Sequence, residues 1–517
     1  MRAFLVVAVL ALSLAGAVWC SPDGYVAGAG GTQPVNLNAA SQSGAYGNPA
    51  LLGLGRAPRG GLAFLPMSVG LWSDDLALPS ILLNKYLLEG DWPRLLTSVL
   101  YESFDLYDVK DDPYEVSRKL TDGMRDGIGI YFGYQVSPFV FSAKGFSVGM
   151  RTYVDLEARL PGGILLPFFS ATEGAQGGRM FGFSDLSVDL TAATELSVKI
   201  GRPIPALPAF FDYAGLDKGA YGVGIKHILG HSYLSLNLDE GSGIYYDSAA
   251  NVYRIVTKID AVSAGTGLKH NYEFDSRYWD SAFVSRPVVG EGWGFDIGAV
   301  FHNDNHFVSV DIQDIGMIVW DGRKTQRNKG VYQDSIILDS LRDMSGSYRK
   351  NVLNSDFLDN FLDKMVDATG DSSGRNHVSY LPMSLNLGYT YYLGFSDMAL
   401  KYLVRYVTAN AGLKQQIITG PGKNAAAPAL SLGASAGLIN GVFPLRYGVT
   451  VGGPGKSSSA VSAGVNMRAV SFDVCYKAVG HPFLIAEKGF EGAAAFTVNW
   501  GWDKKKKKEA GEVTSPQ

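Results

Sequence analysis

A serine flanked by glycines is the first place in this chain where chemistry could be sought. Gly433, Ser435 and Gly437 match the glycine-x-serine-x-glycine pattern, in which hydrolases present a nucleophilic serine on a strained turn between a strand and a helix. Here apolar residues alternate straight through the pattern, from Leu430 to Leu438, and no helical periodicity follows. The alternation predicts one continuous strand with Ser435 as a small polar residue on one face, so we expect no catalytic residue here.

Two pairs of histidines with a spacing of four residues are the next candidates, as metal ligands. His302 and His306 bracket a short polar turn, whereas His227 and His231 lie where the alternation of a strand slips. A protein zinc site needs three or four converging ligands, and the sequence offers no third ligand beside either pair. With two cysteines in the whole chain, neither a thiol site nor a disulfide framework can be built. We therefore expect no metal, no other cofactor and no enzymatic activity.

Charged side chains recur on one side of the alternating segments, and they are mixed in sign. The sequence leaves two roles open for them: they pair with one another and with a plug, or they form a charged constriction that contacts the head group of a solute. The candidates for this internal surface are Arg151, Asp189, Arg405, Arg446 and Arg468.

The elements that carry these charges have a period of two, which is the period of a β-strand. From Leu186 to Ile200 the even positions are apolar or small, and the odd positions include Asp189, Glu195 and Lys199. About fourteen such segments follow one another, as in a barrel whose apolar face contacts lipid and whose polar face lines a lumen. Beyond the N-terminal segment there is no run of about 18 consecutive apolar residues, so helical spans are excluded. The predicted strands are 128–141, 146–160, 183–200, 219–238, 252–263, 291–302, 306–320, 380–393, 398–409, 429–439, 442–452, 459–468, 470–479 and 489–502.

These patterns predict an all-β fold, a transmembrane antiparallel β-barrel of about 14 strands with a partly helical N-terminal hatch or plug. Counted back from the last strand, short and long connections alternate, as periplasmic turns and outer loops do in such barrels. The first third fits less well, because residues 143–145 are too few for an outer loop and residues 161–182 are too many for a turn. The strand count there could therefore differ by one hairpin. Slips in the alternation near His227 and Asp314 are interpreted as β-bulges.

The ends of the chain and the segment before the first predicted strand complete the domain organisation. Residues 1–17 combine a positive start, an apolar run and a small-residue cleavage site, which predicts a secretory signal peptide. Residues 18–126, with helical patterns in 78–125, are predicted to form the hatch. Residues 127–502 then form the barrel, and 503–517 are a lysine-rich, solvated tail.

The longest predicted outer connection, 321–379, contains two amphipathic helical patterns, around Ile336–Leu341 and Phe357–Val366. Loops of this length in compact folds are usually functional or disordered, and the helical patterning favours a functional one. Two interpretations remain open: the apolar stripes capture a hydrophobic ligand, or they are the packed underside of a rigid cap. The candidate capture residues are Ile336, Ile337, Leu341, Phe357, Leu358, Phe361, Leu362 and Met365.

A short segment near the N-terminus carries a family resemblance. Asn48, Pro49 and Ala50 close the segment Ser43–Ala50, which resembles the Asn-Pro-Ala signature in the hatch of FadL-type long-chain fatty acid transporters. The strand that begins Tyr380-Leu381-Pro382 is similar to a leucine-proline strand opening of that superfamily, and the strand number and the helix-bearing outer loop are similar as well. The resemblance implies that Asn48, Pro49 and Ala50 are hatch residues. It extends to no ligand-contact residue, because no matching motif supports one, and the longer pre-barrel region and the lysine tail mark a divergent branch.

The resemblance implies an outer-membrane channel that passes hydrophobic small molecules, such as long-chain fatty acids. Two alternatives stay open. One is a surface protein that does not transport and binds a host or secretion partner through its outer loops. The other is a general porin, against which the large pre-barrel region counts. The expected partners are outer-membrane lipid, a hydrophobic small-molecule ligand and, during biogenesis, the barrel-assembly machinery. The net charge of −4 and the lack of a sustained basic face give no reason to expect nucleic acid.

Overall fold

Strands dominate the described part of the chain in the computed structural model. Among the described residues, no helix is long and apolar enough to cross a membrane. The structure describes residues 47–54, 60–73, 128–160, 180–182, 186–247, 252–265, 287–337, 370–371, 374–395, 402–417, 428–453, 457–467, 469–480 and 488–500, with a few isolated positions between 76 and 119. The predicted signal peptide, the lysine-rich tail and nearly all of the predicted 78–125 helices lie outside these residues.

Twenty strands are described, and fourteen of them form a closed antiparallel barrel. The wall order is β1-β2-β3-β5-β6-β9-β10-β14-β15-β16-β17-β18-β19-β20, and β20 pairs with β1 to close it. The predicted antiparallel all-β barrel and its strand number are therefore confirmed, whereas the helices of the predicted hatch lie almost entirely outside the described residues. The strands are β1 Gly60–Ser73, β2 Ile128–Ala143, β3 Phe146–Leu160, β4 Met180–Gly182, β5 Ser187–Ile204, β6 Lys218–Leu238, β7 Gly243–Asp247, β8 Val252–Ala264, β9 Gly290–His302, β10 His306–Trp320, β11 Thr325–Ile337, β12 Gly370–Asp371, β13 His377–Tyr380, β14 Ser384–Gly394, β15 Val404–Gln416, β16 Ala429–Leu438, β17 Phe443–Gly452, β18 Ser457–Asn466, β19 Val470–Val479 and β20 Gly489–Trp500.

The identity of two wall strands differs from the prediction. β1 lies in the wall between β20 and β2, so the barrel begins at Gly60 and not at 127. The sequence hides this strand because Pro66 interrupts its alternation. The predicted wall strand at 252–263 is β8, which pairs with β11 over its whole length and reaches the wall only through the last six residues of β6. The wall gains β1 and loses β8 relative to the prediction, so the number of wall strands stays at fourteen.

Adding β1 restores the alternation of connection lengths. Residues 144–145 now join β2 to β3 at the end of the barrel that also carries the Asn303–Asn305 turn, which we call the short-loop end. The 161–186 connection falls at the opposite, long-loop end. Residues 74–127 link two neighbouring wall strands at that same long-loop end, so they do not precede the barrel as predicted.

The two faces of the wall differ as the sequence predicts. On β5, Leu196, Val198 and Ile200 are 41–44% exposed, whereas the alternating residues Glu195 and Lys199 are 6% and 2% exposed. An apolar outer band with charges turned inward is the pattern of a barrel wall in contact with lipid. The two predicted bulges are present: β10 shifts register between Ile312 and Ile315, and β6 shifts at His231, four residues beyond His227.

Strands β4, β7, β8, β11 and β12 extend the sheet at the long-loop end, beyond the wall. Within this extension Asp260 on β8 is paired with Arg327 and Lys329 on β11, at 2.8 and 3.3 Å. Burial by itself would raise the pKa of Asp260, but hydrogen bonds from the two cations lower it below its usual value.

Candidate functional site

The Asn48-Pro49-Ala50 segment lies inside the barrel near its short-loop end. The Asn48 side-chain oxygen accepts a hydrogen bond from the Ala50 N–H at 2.9 Å, and the Asn48 carbonyl accepts one from the Leu51 N–H at 3.1 Å. This Asx turn opens the single 3-10 helix described, Pro49–Leu54. Asn48 is 1% exposed and Ala50 is fully buried. The Asn48 amide also donates to the carbonyls of Ala299 and Val310, both at 3.4 Å, so the turn is tied to the walls β9 and β10.

Three glycines on adjacent wall strands make room for this turn. Gly201 on β5, Gly222 on β6 and Gly298 on β9 all face it. A Cβ atom at Gly222 or Gly201 would overlap the backbone of Pro49, and one at Gly298 would overlap the Asn48 side chain. The backbone of the turn therefore packs directly on the backbone of the wall. We call this contact surface the glycine seat.

A group of four charges, three of them buried, lies beside the glycine seat. Lys199 donates to the Gly47 carbonyl at 3.1 Å and pairs with Asp296 at 2.9 Å. Lys226 pairs with Asp296 at 2.8 Å and with Asp314 at 2.6 Å. The two lysines and two aspartates sum to zero charge, which makes their burial tolerable. The group connects the hatch carbonyl to the bulge in β10, where Asp314 has a φ of 60°.

The β10 bulge is fixed by the same group. The Asp314 N–H donates to Asp296 at 3.0 Å, so one aspartate satisfies both a lysine and the irregular backbone. Nearby, Asp311 accepts hydrogen bonds from the side-chain amides of Gln313 and Asn386, at 2.7 and 2.8 Å. The sequence gives no sign that Lys226 and Asp296 meet, and it marks Asp314 only through the slip in the alternation of apolar and polar residues.

An apolar cluster lies further toward the long-loop end. Its largest member, Trp320, is fully buried and stacks on Tyr233 with ring centroids 5.1 Å apart. The indole N–H donates to Ser379 at 2.8 Å, so the buried ring leaves no polar atom unpaired. The cluster also contains Ile228, Ile318 and Leu381. The interior thus has three levels, which are the glycine seat, the neutral charge group and the apolar cluster.

The predicted internal charges are placed differently from one another. Arg151 pairs with Glu195 at 2.6 Å and Arg446 with Asp473 at 3.1 Å, both on the inner face. Asp189 is also inward and buried. Arg405, by contrast, is exposed at the short-loop end, where it donates to the Asn440 carbonyl at 3.4 Å. Arg468 lies outside the described residues.

The predicted capture residues are not brought together in the described structure. Ile336 and Ile337 form the end of β11, opposite Tyr253 and Val252 of β8. The predicted helix around 336–341 is therefore wrong at its start, because sheet pairing with β8 fixes an extended backbone there. The other candidates, Leu341, Phe357, Leu358, Phe361, Leu362 and Met365, lie outside the described residues.

The sequence motifs with possible chemistry have ordinary structural surroundings. Ser435 lies within β16, and its hydroxyl is 2.5 Å from that of Thr408. The His302 ring contacts the Asn303 carbonyl, and the His306 ring contacts the Tyr389 hydroxyl, so the two rings have separate partners. In the part of the chain that the structure describes, no three His, Cys, Asp or Glu side chains converge as metal ligands would.

The fold and the interior together define a class, a lipid-facing β-barrel with an N-terminal turn seated inside it. Within this class the chain belongs to DUF5723, a family of unknown function whose model matches residues 96–473. The sequence matches no curated protein.

Several solved structures are similar to the chain. The P. putida toluene transporter TodX matches at 11% identity and a TM-score of 0.37, over 90% of this chain and 95% of its own. The monoaromatic hydrocarbon channel CymD matches at 11% identity and a TM-score of 0.39, over 94% and 98%. A Pseudomonas aeruginosa FadL homologue matches at 11% identity and a TM-score of 0.39, over 94% and 100%. At these identities and scores the matches are likenesses of fold alone.

Proposed function

We propose that this protein is an outer-membrane channel for small hydrophobic molecules and that the Asn48–Leu54 turn closes its short-loop end. The observation that carries the proposal is the glycine seat: three wall strands lack side chains where the turn packs. A barrel that served only as a scaffold for surface loops would have no need of such a matched seat. The secretory signal predicted in residues 1–17 and the apolar outer band support a location in the outer membrane.

The order of the interior favours a hydrophobic cargo. The buried apolar cluster around Trp320 lies on the long-loop side of the charge group, so the wall packing at that end is apolar. The four charges of that group neutralise one another through ion pairs of 2.6–2.9 Å. Their pairing leaves an ionic solute little to gain there, whereas an apolar solute gains about 0.8 kcal/mol for each CH₂ group removed from water. Long-chain fatty acids are the cargo that the Asn-Pro-Ala resemblance implies, and we propose them as the first candidates.

Uptake by whole cells tests the transport itself. Cells that lack the protein should take up radiolabelled oleic acid more slowly than wild-type cells, and a plasmid copy should restore the rate. A control solute that diffuses through porins, such as a small sugar, should enter both strains equally. Equal oleic acid uptake with and without the protein would contradict this cargo. If toluene uptake is equal as well, the surface-protein alternative replaces the channel.

A further inference from the structure

The inner face of β1 and β2 carries a pair of aromatic rings near the long-loop end. Trp72 and Tyr131 are opposite each other in the strand pairing, with ring centroids 5.5 Å apart and planes 11° from parallel. Both side chains are half-buried, although they lie on the inward face. We call this pair the aromatic ledge. It presents a flat apolar surface to the lumen, on wall strands other than the three that form the glycine seat.

One pair of opposite charges beside the ledge is already matched. The Lys477 ammonium lies 6.0 Å from the centre of the Trp72 ring and 2.9 Å from Glu491. Because the carboxylate of Glu491 neutralises the ammonium, an anionic ligand would compete with an existing ion pair. Glu157 and Asp155 of β3 lie opposite Tyr131 and Gly133 on the same face, so these further carboxylates also disfavour an anion. We therefore consider an uncharged ligand for the ledge.

A recess follows the ledge toward the short-loop end. The next inward residues are Gly70 and Gly133, which are also paired with each other. The Trp72 ring leans over Gly70, but a Cβ atom at Gly133 would meet a single heavy atom of the described residues within 4 Å, an Asp155 oxygen at 3.8 Å. The described residues thus leave the inner side of Gly133 open, next to Tyr131.

Two polar groups beyond this recess have no partner among the residues that the structure describes. Gln135 is 9% exposed and its side-chain NH₂ makes no hydrogen bond to any described residue, and the hydroxyl of the fully buried Ser137 makes none either. Buried polar groups are nearly always hydrogen-bonded, so each exception needs an explanation. The NH₂ of Gln135 can only donate, which makes a hydrogen-bond acceptor the missing partner.

We propose that the aromatic ledge, the Gly133 recess and Gln135 form a binding site for an uncharged aromatic molecule that carries an oxygen acceptor. The ring stacks at the ledge and occupies the recess, and the oxygen accepts a hydrogen bond from the Gln135 side-chain NH₂. In β2, Gly133 and Gln135 are separated by about 7 Å, a distance that a benzene ring with a carbonyl substituent can bridge. The site rests on the proposed channel for small hydrophobic molecules, and it adds uncharged aromatic molecules to the long-chain fatty acids as a second class of cargo.

Binding of two matched probes to the full-length protein in detergent tests the site. Acetophenone and ethylbenzene have nearly the same shape, but acetophenone alone carries the oxygen acceptor. Isothermal titration should show tighter binding of acetophenone. Gln135→Met should reduce that preference by about fivefold to tenfold, the effect of one hydrogen bond. Trp72→Leu should weaken both probes by about threefold to tenfold.

Gln135→Met keeps the test independent of folding, because it removes a buried donor that has no partner and should not destabilise the barrel. The matched control is Trp500→Leu, since Trp500 is 39% exposed on the outer face and contacts Phe141; this variant should bind both probes like the wild type. An unchanged preference in a folded Gln135→Met protein would overturn the site. That result leaves the channel standing if cells still take up oleic acid through the protein. Binding as expected without any uptake would instead refute the channel and support the site.

Discussion

At the scale of single residues, the packing inside the barrel depends on glycines as much as on buried charged side chains. Gly222 and Gly298 are separate in sequence, yet the same turn packs on both. Lys199 joins that turn to the charge group, with its side chain 3% exposed. A close backbone contact and a buried ion pair both tolerate little change, so single substitutions here should have measurable effects.

The first prediction concerns the glycine seat. Gly222→Ala should displace the hatch turn, because the added methyl group overlaps the Pro49 backbone. We expect a higher single-channel conductance in planar bilayers. The matched control is Gly149→Ala, where the new Cβ would make ordinary contacts of 3.4 Å or more. Equal conductance of the two variants would mean that the turn does not close the pore.

The second prediction concerns Lys199. Lys199→Met leaves the Gly47 carbonyl without its donor and the charge group with an excess negative charge, so unfolding in lipid vesicles should become easier by about 3–5 kcal/mol. The further change Asp296→Asn restores neutrality, because Lys226 and Asp314 still pair at 2.6 Å, and should recover part of the loss. Lys218→Met removes an exposed pair with Asp304 and should cost less than about 1 kcal/mol. If Lys218→Met and Lys199→Met lower the free energy of unfolding by similar amounts, burial of the charge group does not increase its contribution to stability.

At the scale of elements, the same strand pattern occurs in two environments. β6 belongs to the wall and its outer residues form part of the apolar band, whereas β11 belongs to the sheet extension beyond the wall. Val223 on β6 and Val331 on β11 have almost equal exposure, 48% and 52%. Their neighbours differ, since the first is expected to contact lipid and the second water.

This pair supplies the third prediction. Val223→Arg should lower the free energy of unfolding by about 2–4 kcal/mol if residue 223 lies near the bilayer midplane. Val331→Arg should leave the free energy of unfolding nearly unchanged. Urea unfolding in lipid vesicles measures both. If the two substitutions cost the same, the boundary between the membrane-spanning wall and the extension is misplaced.

At the scale of the whole molecule, closure of the barrel depends on β1. This strand pairs with β20 on one side and with β2 on the other, so the first and last wall strands meet. In lipid an open sheet edge leaves backbone groups without partners, at a cost of several kcal/mol each. The barrel is therefore a unit that needs residues 60–73 as much as it needs the C-terminal strand.

The fourth prediction follows from this closure. Deletion of residues 18–54 should leave a folded barrel that keeps its heat-modifiable gel mobility. Deletion of 18–126, the whole segment that the sequence assigns to the hatch, should abolish folding because it removes β1. A folded barrel after the longer deletion would support the sequence-based boundary at 127 and contradict the role of β1 in closure.

The sequence by itself determined the class of fold. Alternation such as that from Leu186 to Ile200 depends on the chemistry of each residue and its immediate neighbours, so it can be recognised without knowledge of the tertiary structure. The same holds for the bulge at Asp314, which is visible as a slip in phase. The Asn48-Pro49-Ala50 turn could be proposed because its Asx geometry is local.

Only the tertiary structure decided which strands form the wall and which groups meet inside it. β1 belongs to the wall and β8 does not, contrary to the prediction. Strand pairing is a contact between segments that are distant in the chain, and the sequence of a strand does not reveal which strand it pairs with. Asp296 and Lys226 are far apart in the chain, and their pairing follows from the register of β6 against β9. For the same reason Gln135 looks like any polar residue of a strand, and its lack of a partner becomes visible only when all of its neighbours are in place.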